Sequence, residues 1–263
     1  MARRRFFVPA VRRGAAELTG EDAAHLVRVL RVEPGQVFEI SDNSRVYLAE
    51  VETARKTEVV FRVKEDLPSS LPGLDVVLCP ALIKFDRFEW LVEKATEMGV
   101  SRIQPFAATR TEHGLLAAAA KRLERWRKIG LEASQQSRRA RLPEIDAAVR
   151  STKELKPDAS IKLLLDEESQ TAILSQLPAR LTDSDRVAIL LGPEGGWTDE
   201  ERALAIANDW RPCSLGNTIL RTETAAVAAL AIVQAAWAHT KIGSDPINDS
   251  SVNRGGADGQ HRI

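Results

Sequence analysis

The sequence lacks an apolar run of membrane-spanning length and contains few cysteines. Cys79 and Cys213 form neither a CxxC pair nor a metal-ligand spacing, so we expect no disulfide framework. Residues 1–7 carry consecutive arginines, as in a twin-arginine export signal, but residues 8–14 add charge instead of the apolar stretch that such a signal needs. We therefore expect a cytoplasmic protein with no membrane partner.

Motifs that mark several common enzyme classes are also missing. Neither GxxxxGK[ST] nor GxGxxG occurs, which argues against a nucleotide-binding α/β protein. No GxSxG is present, so nothing supports a serine hydrolase. The histidines stand apart from one another, and we expect no zinc or other metal site. They are His25, His113, His239 and His261.

The formal net charge is zero, but the charges are unevenly distributed. Residues 1–31 contain seven arginines against three acids, and residues 121–142 contain eight lysines and arginines against two acids. Acidic residues are concentrated in residues 144–209. Because phosphate backbones bind to local basic patches, both basic segments suit a nucleic-acid partner. Two solvated faces of an ordinary protein would give the same pattern.

Residues 1–70 have the pattern of a small β-barrel domain. Residues 20–30 predict a short helix with Thr19 as its cap, and alternating apolar residues after it predict strands. These strands are residues 36–40, 46–51 and 58–63. Prolines, serines and a glycine in residues 66–73 mark a linker, which we take as the domain boundary.

Strands and helices alternate in residues 73–242, which predicts an α/β domain with a mostly parallel sheet. The predicted strands are residues 74–79, 102–106, 161–165 and 187–191, and the predicted helices are residues 85–98, 117–137 and 222–239. Thr198 and Glu201 form a capping-box pattern at the start of a further helix. Residues 243–263 have almost no apolar side chains and predict a disordered tail.

Two glycine-bearing turns carry the strongest functional signal. Gly192-Pro-Glu-Gly-Gly follows a buried strand and precedes a helix, where open α/β sheets bind ligands. Leu215-Gly-Asn-Thr-Ile-Leu-Arg-Thr-Glu also leads into a helix, whose free N–H groups favour a ligand. An ordinary tight turn and simple capping by Thr222 and Glu223 are the alternatives. Capping does not explain Arg221, a cation at the positive end of a helix.

Several segments together resemble one known family. They are Arg4-Arg-Phe-Phe-Val, His25-Leu-x-x-Val-Leu-Arg, Lys84-Phe-Asp-Arg, Lys94-Ala-Thr-Glu-Met-Gly-Val, Gln136-Ser-Arg-Arg-Ala-Arg-Leu-Pro-Glu-Ile and the two turns above. In this order they resemble ribosomal RNA small subunit methyltransferase E, a SPOUT family that methylates N3 of one uridine in 16S rRNA. Gln135 and Arg138 depart from the family pattern, which has a glutamate and a Gly or Asn there. We align the motif arginine with Arg139.

The resemblance implies a PUA-like barrel followed by a SPOUT domain with a C-terminal trefoil knot. It also implies a homodimer, in which the alanines of residues 225–231 would suit close helix packing, although a plain core helix would give the same pattern. The implied cofactor is S-adenosylmethionine, bound by residues 164–168, 191–196 and 215–223. The cofactor-binding residues we predict are Leu165, Leu191, Gly192, Pro193, Glu194, Gly195, Gly196, Leu215, Gly216, Ile219, Leu220, Arg221 and Thr222.

Methylation of uracil N3 requires loss of a proton and stabilisation of the resulting imide anion. Arg139 and then Arg221 are our candidates for stabilising the anion. Glu223 is our candidate base, and the alternatives are that it orients the uracil or only holds the loop. The barrel would hold 16S rRNA, within the small ribosomal subunit, through Arg4, Arg5, Arg28 and Arg31. Phe6 and Phe7 could stack on bases, but filling of the core is the stronger expectation.

Two other functions remain open at this point. Another SPOUT enzyme would methylate a ribose 2′-hydroxyl or a different base. A non-catalytic RNA-binding factor for ribosome assembly would keep the fold but would not need S-adenosylmethionine.

Overall fold

The first domain is a six-stranded sheet with one helix. The structure, a computed structural model, describes residues 4–68 and 73–242. The strands are β1 (Arg5–Phe7), β2 (Val11–Arg12), β3 (Ala15–Thr19), β4 (Val37–Ser41), β5 (Val46–Arg55) and β6 (Glu58–Leu67), and helix α1 (Gly20–Arg28) lies between β3 and β4. They are ordered β1-β4-β5-β6-β3-β2. β1 and β4 are parallel, and the other neighbours are antiparallel.

The three strands predicted in this domain are confirmed as β4, β5 and β6. β1, β2 and β3 were not predicted, because they are short and their apolar residues do not alternate over a long enough stretch. Helix α1 begins after Thr19 as predicted, but the Thr19 side chain makes no capping hydrogen bond. Phe6 lies in the core with 2% exposure, 5.1 Å from the Phe38 ring in an edge-on contact. This confirms core filling for Phe6.

The second domain is a parallel sheet with helices on its faces. Its strands are β7 (Asp75–Pro80), β8 (Arg102–Ile103), β9 (Glu144–Ile145), β10 (Ile161–Leu165), β11 (Arg186–Leu191) and β12 (Arg211–Cys213). Its helices are α2 (Phe85–Glu97), α3 (Leu115–Ala119), α4 (Leu123–Gln136), α5 (Ile173–Gln176), α6 (Asp199–Ala207) and α7 (Thr222–Ile242). The strand order is β12-β10-β11-β7-β8-β9, and every neighbouring pair is parallel.

The core of this domain lies on both faces of the sheet. Leu78, Leu163 and Ile189 pack on one face against apolar residues of α2, α4 and α7. Leu164 and Leu190 pack on the opposite face, in a cluster that includes Trp197 and Trp210. Burial on both faces is the reason that β7, β10 and β11 are continuous apolar runs, and all three strands were predicted.

Two predicted elements of this domain differ from the structure. The strand predicted at residues 102–106 ends at Ile103, since Pro105 has no N–H group to donate to a neighbour. The helix predicted at residues 117–137 is divided by a 3₁₀ turn at Ala120–Arg122. The capping box at α6 is confirmed: the Glu201 N–H donates to Thr198 Oγ1 at 3.2 Å, and the Thr198 N–H donates to Glu201 Oε2 at 3.2 Å.

Across the two described ranges, no helix has both the length and the apolar character needed to span a membrane. The predicted tail, residues 243–263, lies outside the described residues. The trefoil knot stays a prediction.

Candidate active site

Three loops meet where neighbouring strands β10, β11 and β12 end. The Trp197 Nε1–H group, in the loop after β11, donates to the carbonyl of Leu165 at 2.8 Å. Thr222, at the start of α7, donates through Oγ1 to the carbonyl of Gly192 at 3.0 Å. The Asp166 N–H donates to the Cys213 carbonyl at 3.0 Å. The two glycine-bearing turns of the sequence therefore lie together, as predicted.

A cleft lies between these loops, at the carboxyl ends of the strands, where open α/β sheets bind ligands. Most of the predicted cofactor-binding residues line it. These are Leu165, Leu191, Gly192, Pro193, Gly196, Leu215, Gly216, Ile219, Leu220 and Thr222. Asp166, Glu167 and Thr218, which lie in the predicted loops, also line the cleft, and the lining residues outside those loops are Trp197, Cys213, Ser214 and Ala225.

Three predicted cofactor residues lie beside the cleft and do not line it. Glu194 forms an ion pair with Arg87 of α2. The carbonyl of Gly195 accepts a hydrogen bond from Arg110 Nη1 at 2.9 Å. Arg221 is exposed and directly precedes α7.

Two glycines of the cleft are required for different reasons. A Cβ atom at Gly192 would lie 2.9 Å from Cε2 of the Trp197 ring, which is closer than real contacts allow. Gly216 has a φ of +132°, a conformation that other residues rarely adopt, although a Cβ atom there would meet no atom within 4 Å beyond its chain neighbours. Gly192 therefore lets the Trp197 ring pack closely against the backbone of the loop after β11. Gly216 sets the backbone path of the loop of residues 215–220.

The loop of residues 215–220 leaves its peptide groups available. Among the described residues, no hydrogen bond engages the backbone N–H groups of this loop. Exposed Ile219 and half-buried Leu220 flank the cleft in the same loop. A flat, polar-edged ring bound here would meet peptide donors and acceptors at its edge and apolar side chains at its faces.

A carboxylate and a cation lie at the edge of the cleft. Glu223 is largely buried in the first turn of α7, and its Oε2 has no hydrogen-bond partner in the described part of the chain. Its Oε1 lies 4.0 Å from Nε of Arg87, the same arginine that pairs with Glu194. One cation of α2 thus lies between two carboxylates, one from each glycine-bearing turn.

Arg87 was missed as a site residue. It belongs to the segment Lys84-Phe-Asp-Arg, which contributed to the family resemblance, but one arginine at the start of an amphipathic helix carries no functional signal by itself. Its position between the two carboxylates depends on the packing of α2 against the β11–α6 loop, which only the fold reveals.

The two candidate catalytic arginines lie in different surroundings. Arg221 has no ion pair or hydrogen bond from its guanidinium to any described residue, so it is available to a ligand. Arg139 instead donates to the carbonyls of Thr96 and Val100 at 2.7 Å each, and to that of Arg141 at 3.1 Å. Burial lowers the pKa of Arg139 to about 10.

These contacts revise the prediction that ranked Arg139 first. Arg139 binds the carboxyl end of α2 of its own chain. It is not one of the described residues that line the cleft. Arg138 has a φ of +56°, a left-handed conformation that Gly and Asn adopt most easily. This conformation explains the Gly or Asn of the family pattern and supports the alignment of the motif arginine with Arg139.

The predicted RNA-binding arginines also divide into two groups. Arg4, Arg28 and Arg31 are exposed. Arg5 has a side chain with 11% exposure, and its Nη2 lies 2.8 Å from the carboxylate of buried Glu39. The structure therefore revises the prediction for Arg5, because an internal ion pair already satisfies its guanidinium.

Comparisons with known proteins agree with this geometry. The RNA methyltransferase domain model matches residues 70–234, and the RNA methyltransferase PUA domain model matches residues 18–64. The fold and the cleft therefore define an RNA methyltransferase with an N-terminal PUA-like domain. This confirms the predicted fold class, a PUA-like β domain before a SPOUT-type α/β domain.

The particular family follows from curated relatives. Ribosomal RNA small subunit methyltransferase E of Synechocystis sp. is 34% identical over 83% of this chain and 72% of its own length. The protein of the same name from Bacillus subtilis is 33% identical over 82% of this chain and 88% of its own. The chain belongs to the ribosomal RNA small subunit methyltransferase E family.

Solved structures show the same architecture. The family member from Neisseria gonorrhoeae, bound to S-adenosyl methionine, matches with a TM-score of 0.80 at 28% identity, over 89% of this chain and 98% of that one. A protein from Legionella pneumophila in complex with the cofactor SAM also matches with a TM-score of 0.80, at 29% identity, over 90% of this chain and 99% of that one.

Proposed function

We propose that this protein transfers the methyl group of S-adenosylmethionine to N3 of a uridine in 16S rRNA of the small ribosomal subunit. The relatives named above support the substrate, and the two cofactor-bound structures support the methyl donor. One observation of this structure carries the proposal. The cleft offers free peptide groups, and the helix start that follows it carries exposed Arg221 and, two residues later, the buried Glu223 carboxylate with an oxygen that has no hydrogen-bond partner.

The residues of the cleft fit S-adenosylmethionine. When bound, the cofactor supplies an electrophilic methyl group on a sulfonium centre. The peptide groups of residues 215–220 would hold the adenine edge, with Leu215 and Leu220 against its faces. Gly192 and Gly216 keep space that larger residues would close. Asp166 already pairs with Arg202 at 3.0 Å, so it shapes the wall and is not a free anion.

Glu223 and Arg221 would manage the charge on the uracil. Uracil N3 is a poor nucleophile until its proton leaves, and Oε2 of Glu223 is the free oxygen that can accept this proton. The negative charge then spreads onto O2 and O4 of the ring. Arg221 would stabilise that charge from the start of α7, where no protein partner competes among the described residues. Arg87 would position the Glu223 carboxylate through Oε1.

The remaining parts of the proposal concern partners and organisation. Residues 1–70 would form the RNA-holding domain, with Arg4, Arg28 and Arg31 on phosphates, and residues 73–242 would form the catalytic domain. The protein would act in the cytoplasm as a homodimer. The half-buried small residues on α7, such as Ala228 and Ala231, would suit close packing of a second copy.

The proposal is tested by transfer of radiolabelled methyl from S-adenosylmethionine to small subunits purified from cells that lack this protein. We expect incorporation into those subunits and none into subunits from wild-type cells, which are already modified. A protein that folds and binds 16S rRNA, but neither binds S-adenosylmethionine nor transfers methyl, would be an assembly factor and would refute the proposal.

A further inference from the structure

A second cleft lies between the two domains. Its lining residues come from both of them and are not shared with the cofactor cleft. They are Arg4, Arg5, Phe6, His25 and Leu30 of the first domain and Glu132, Gln135, Gln136 and Arg138 of the second. It therefore connects the basic amino-terminal segment with the carboxyl end of the basic helix α4, and Arg4 is the one lining residue that the proposed function uses, as a phosphate contact.

Polar contacts fix the two walls relative to each other. Glu39 of β4 is 7% exposed and forms ion pairs with both Arg5 and Arg138, one from each domain. Ser41 Oγ donates to the Ala140 carbonyl at 2.6 Å. The Leu142 N–H donates to Asn43 Oδ1 at 2.6 Å. The cleft is therefore preformed, as ligand sites usually are.

The lining combines an apolar wall with groups that bind bases and phosphates. Half-buried Leu30 supplies the accessible apolar surface, because Phe6 fills the core beneath the lining with 2% exposure, and the amides of Gln135 and Gln136 each carry donors and an acceptor. His25 is exposed and offers a ring that can stack on a base.

The arginines of the lining differ in their availability. Arg5 and Arg138 are paired with Glu39. Arg4 is exposed, and its guanidinium makes no ion pair or hydrogen bond with any described residue. Arg4 is therefore the arginine of this cleft that can bind a phosphate without breaking a contact.

The surroundings favour a polyanion. Arg28 follows His25 by one helical turn and is exposed. On the other side, Lys128 precedes Glu132 on the same face of α4 and is also exposed, whereas Arg125, one turn earlier, is already paired with Glu89. Glu132 is the exposed acid of the lining, so these cations outnumber it.

We propose that this cleft binds one unpaired nucleotide of the RNA substrate, with its base between the apolar wall and the Gln135 and Gln136 amides and its phosphate on Arg4. The inference rests on the proposed function, because that function makes RNA the ligand. It does not depend on which atom of the RNA is methylated.

The test uses the full chain and fluorescence anisotropy with a labelled single-stranded RNA of about ten nucleotides, compared with its duplex. Gln135→Ala removes an amide without changing charge, and we expect it to weaken single-strand binding about fivefold while duplex binding stays within a factor of about two. Gln136→Glu should weaken single-strand binding more strongly, since it adds a negative charge. The matched control is Lys156→Gln, which lowers the net charge by the same amount as Gln136→Glu. Lys156 lies in a separate groove beside Trp210.

Photo-crosslinking with 4-thiouridine in the same RNA locates the contact. The proposal predicts crosslinks within residues 4–30 and 132–138. Unchanged single-strand affinity in both glutamine variants, or crosslinks confined to other segments, would overturn it and leave the cleft to a protein partner or a second copy. Methyl transfer by the wild-type chain is measured separately, so failure of the cleft proposal is distinguishable from failure of the proposed function.

Discussion

Arg87 is the residue whose surroundings most directly connect α2 with the reaction. It contacts Glu223 and Glu194, but the proposed mechanism requires the first contact alone. We expect Arg87→Met to lower kcat about 100-fold with a small change in KM, because Glu223 loses its orientation. Arg87→Lys should recover part of the loss. Glu194→Gln is the matched control, since it removes the other ion pair and leaves Glu223 in place.

Steady-state methyl transfer measures this difference. Equal losses in Arg87→Met and Glu194→Gln would show that Arg87 holds the loop and does not position Glu223.

Arg221 and Glu223 should be sensitive to substitution without loss of the fold. Arg221→Ala removes an exposed guanidinium, so we expect unchanged thermal stability and a decrease in kcat of about 100-fold or more. Glu223→Gln keeps the shape but removes the proton acceptor, and its loss should be of similar size. Single-turnover transfer assays give both values. Near wild-type rates in both variants would remove these residues from the chemical step.

Arg139 should contribute to stability. Arg139→Ala leaves the carbonyls of Thr96 and Val100 without their partner, and we expect a loss of about 2 kcal/mol in the free energy of unfolding. Arg141→Ala, a neighbouring exposed arginine, is the control and should change it little. Urea denaturation measures both. An unchanged midpoint for Arg139→Ala would return Arg139 to the catalytic candidates.

The thiol of Cys213 should be unreactive in the folded protein. Burial, followed by the nearby charge of Asp166, raises its pKa to about 12, so the neutral thiol persists well above pH 8. Because the folded pKa lies above the unfolded value, this group favours folding at low pH and loses that contribution as pH rises toward 12. We expect no alkylation by iodoacetamide at about pH 8 before unfolding. Rapid modification of Cys213 in the native chain would contradict its burial.

Single arginines were the hardest residues to predict. Arg5, Arg139 and Arg221 look alike in sequence, but Arg5 lies in an ion pair, Arg139 holds a helix end and Arg221 is free among the described residues. Their roles depend on long-range contacts with Glu39 and Thr96, which local spacing does not encode.

At the level of elements, the loop after β12 should be the most sensitive part of the cofactor cleft. Gly216→Ala would force a side chain into a φ of +132°, and we expect it to weaken S-adenosylmethionine binding at least about tenfold. Gly35→Ala is the matched control, because Gly35 also has positive φ and open space around it but lies in a turn of the first domain. Isothermal titration calorimetry should show near wild-type affinity for Gly35→Ala. Equal affinities in both variants would place the cofactor elsewhere.

The central strands of the second domain, which lead to the cofactor cleft, were the most predictable elements. β7, β10 and β11 are buried on both faces, so their sequences are continuous apolar runs. β12 was not predicted, because its three residues include a charge and a proline and it lies at the edge of the sheet. The two glycine turns were found because strand ends and glycines coincide in the sequence, and the loop of Asp166 was expected only from the family resemblance, whereas the position of Trp197 in the lining comes from packing.

At the scale of the whole molecule, Glu39 should couple the two domains. Glu39→Ala leaves Arg5 and Arg138 without their shared carboxylate, and removal of one partner from a buried ion pair is strongly destabilising. We expect a lower thermal midpoint and weaker RNA binding, with unchanged affinity for S-adenosylmethionine, because the cofactor cleft lies wholly in the second domain. Scanning calorimetry and titrations measure these quantities. Unchanged RNA binding would show that domain orientation does not matter for the substrate.

The change from alternating strands to strand–helix units is visible in the sequence, and the two separate sheets follow it. The interface between the two domains was not predictable, since it depends on β4 and the turn after it meeting residues 138–142, which lie far away along the chain.

The central claim is that the protein methylates uracil N3 in 16S rRNA at the cleft beside Arg221 and Glu223. Nucleoside mass spectrometry of 16S rRNA from a strain lacking this chain, complemented with either the wild type or Arg221→Ala, tests it most directly. The account predicts loss of 3-methyluridine at one position in the deletion strain, restoration by the wild type and no restoration by the variant. Full 3-methyluridine in the deletion strain, or the loss of a 2′-O-methylated nucleotide instead, would contradict it.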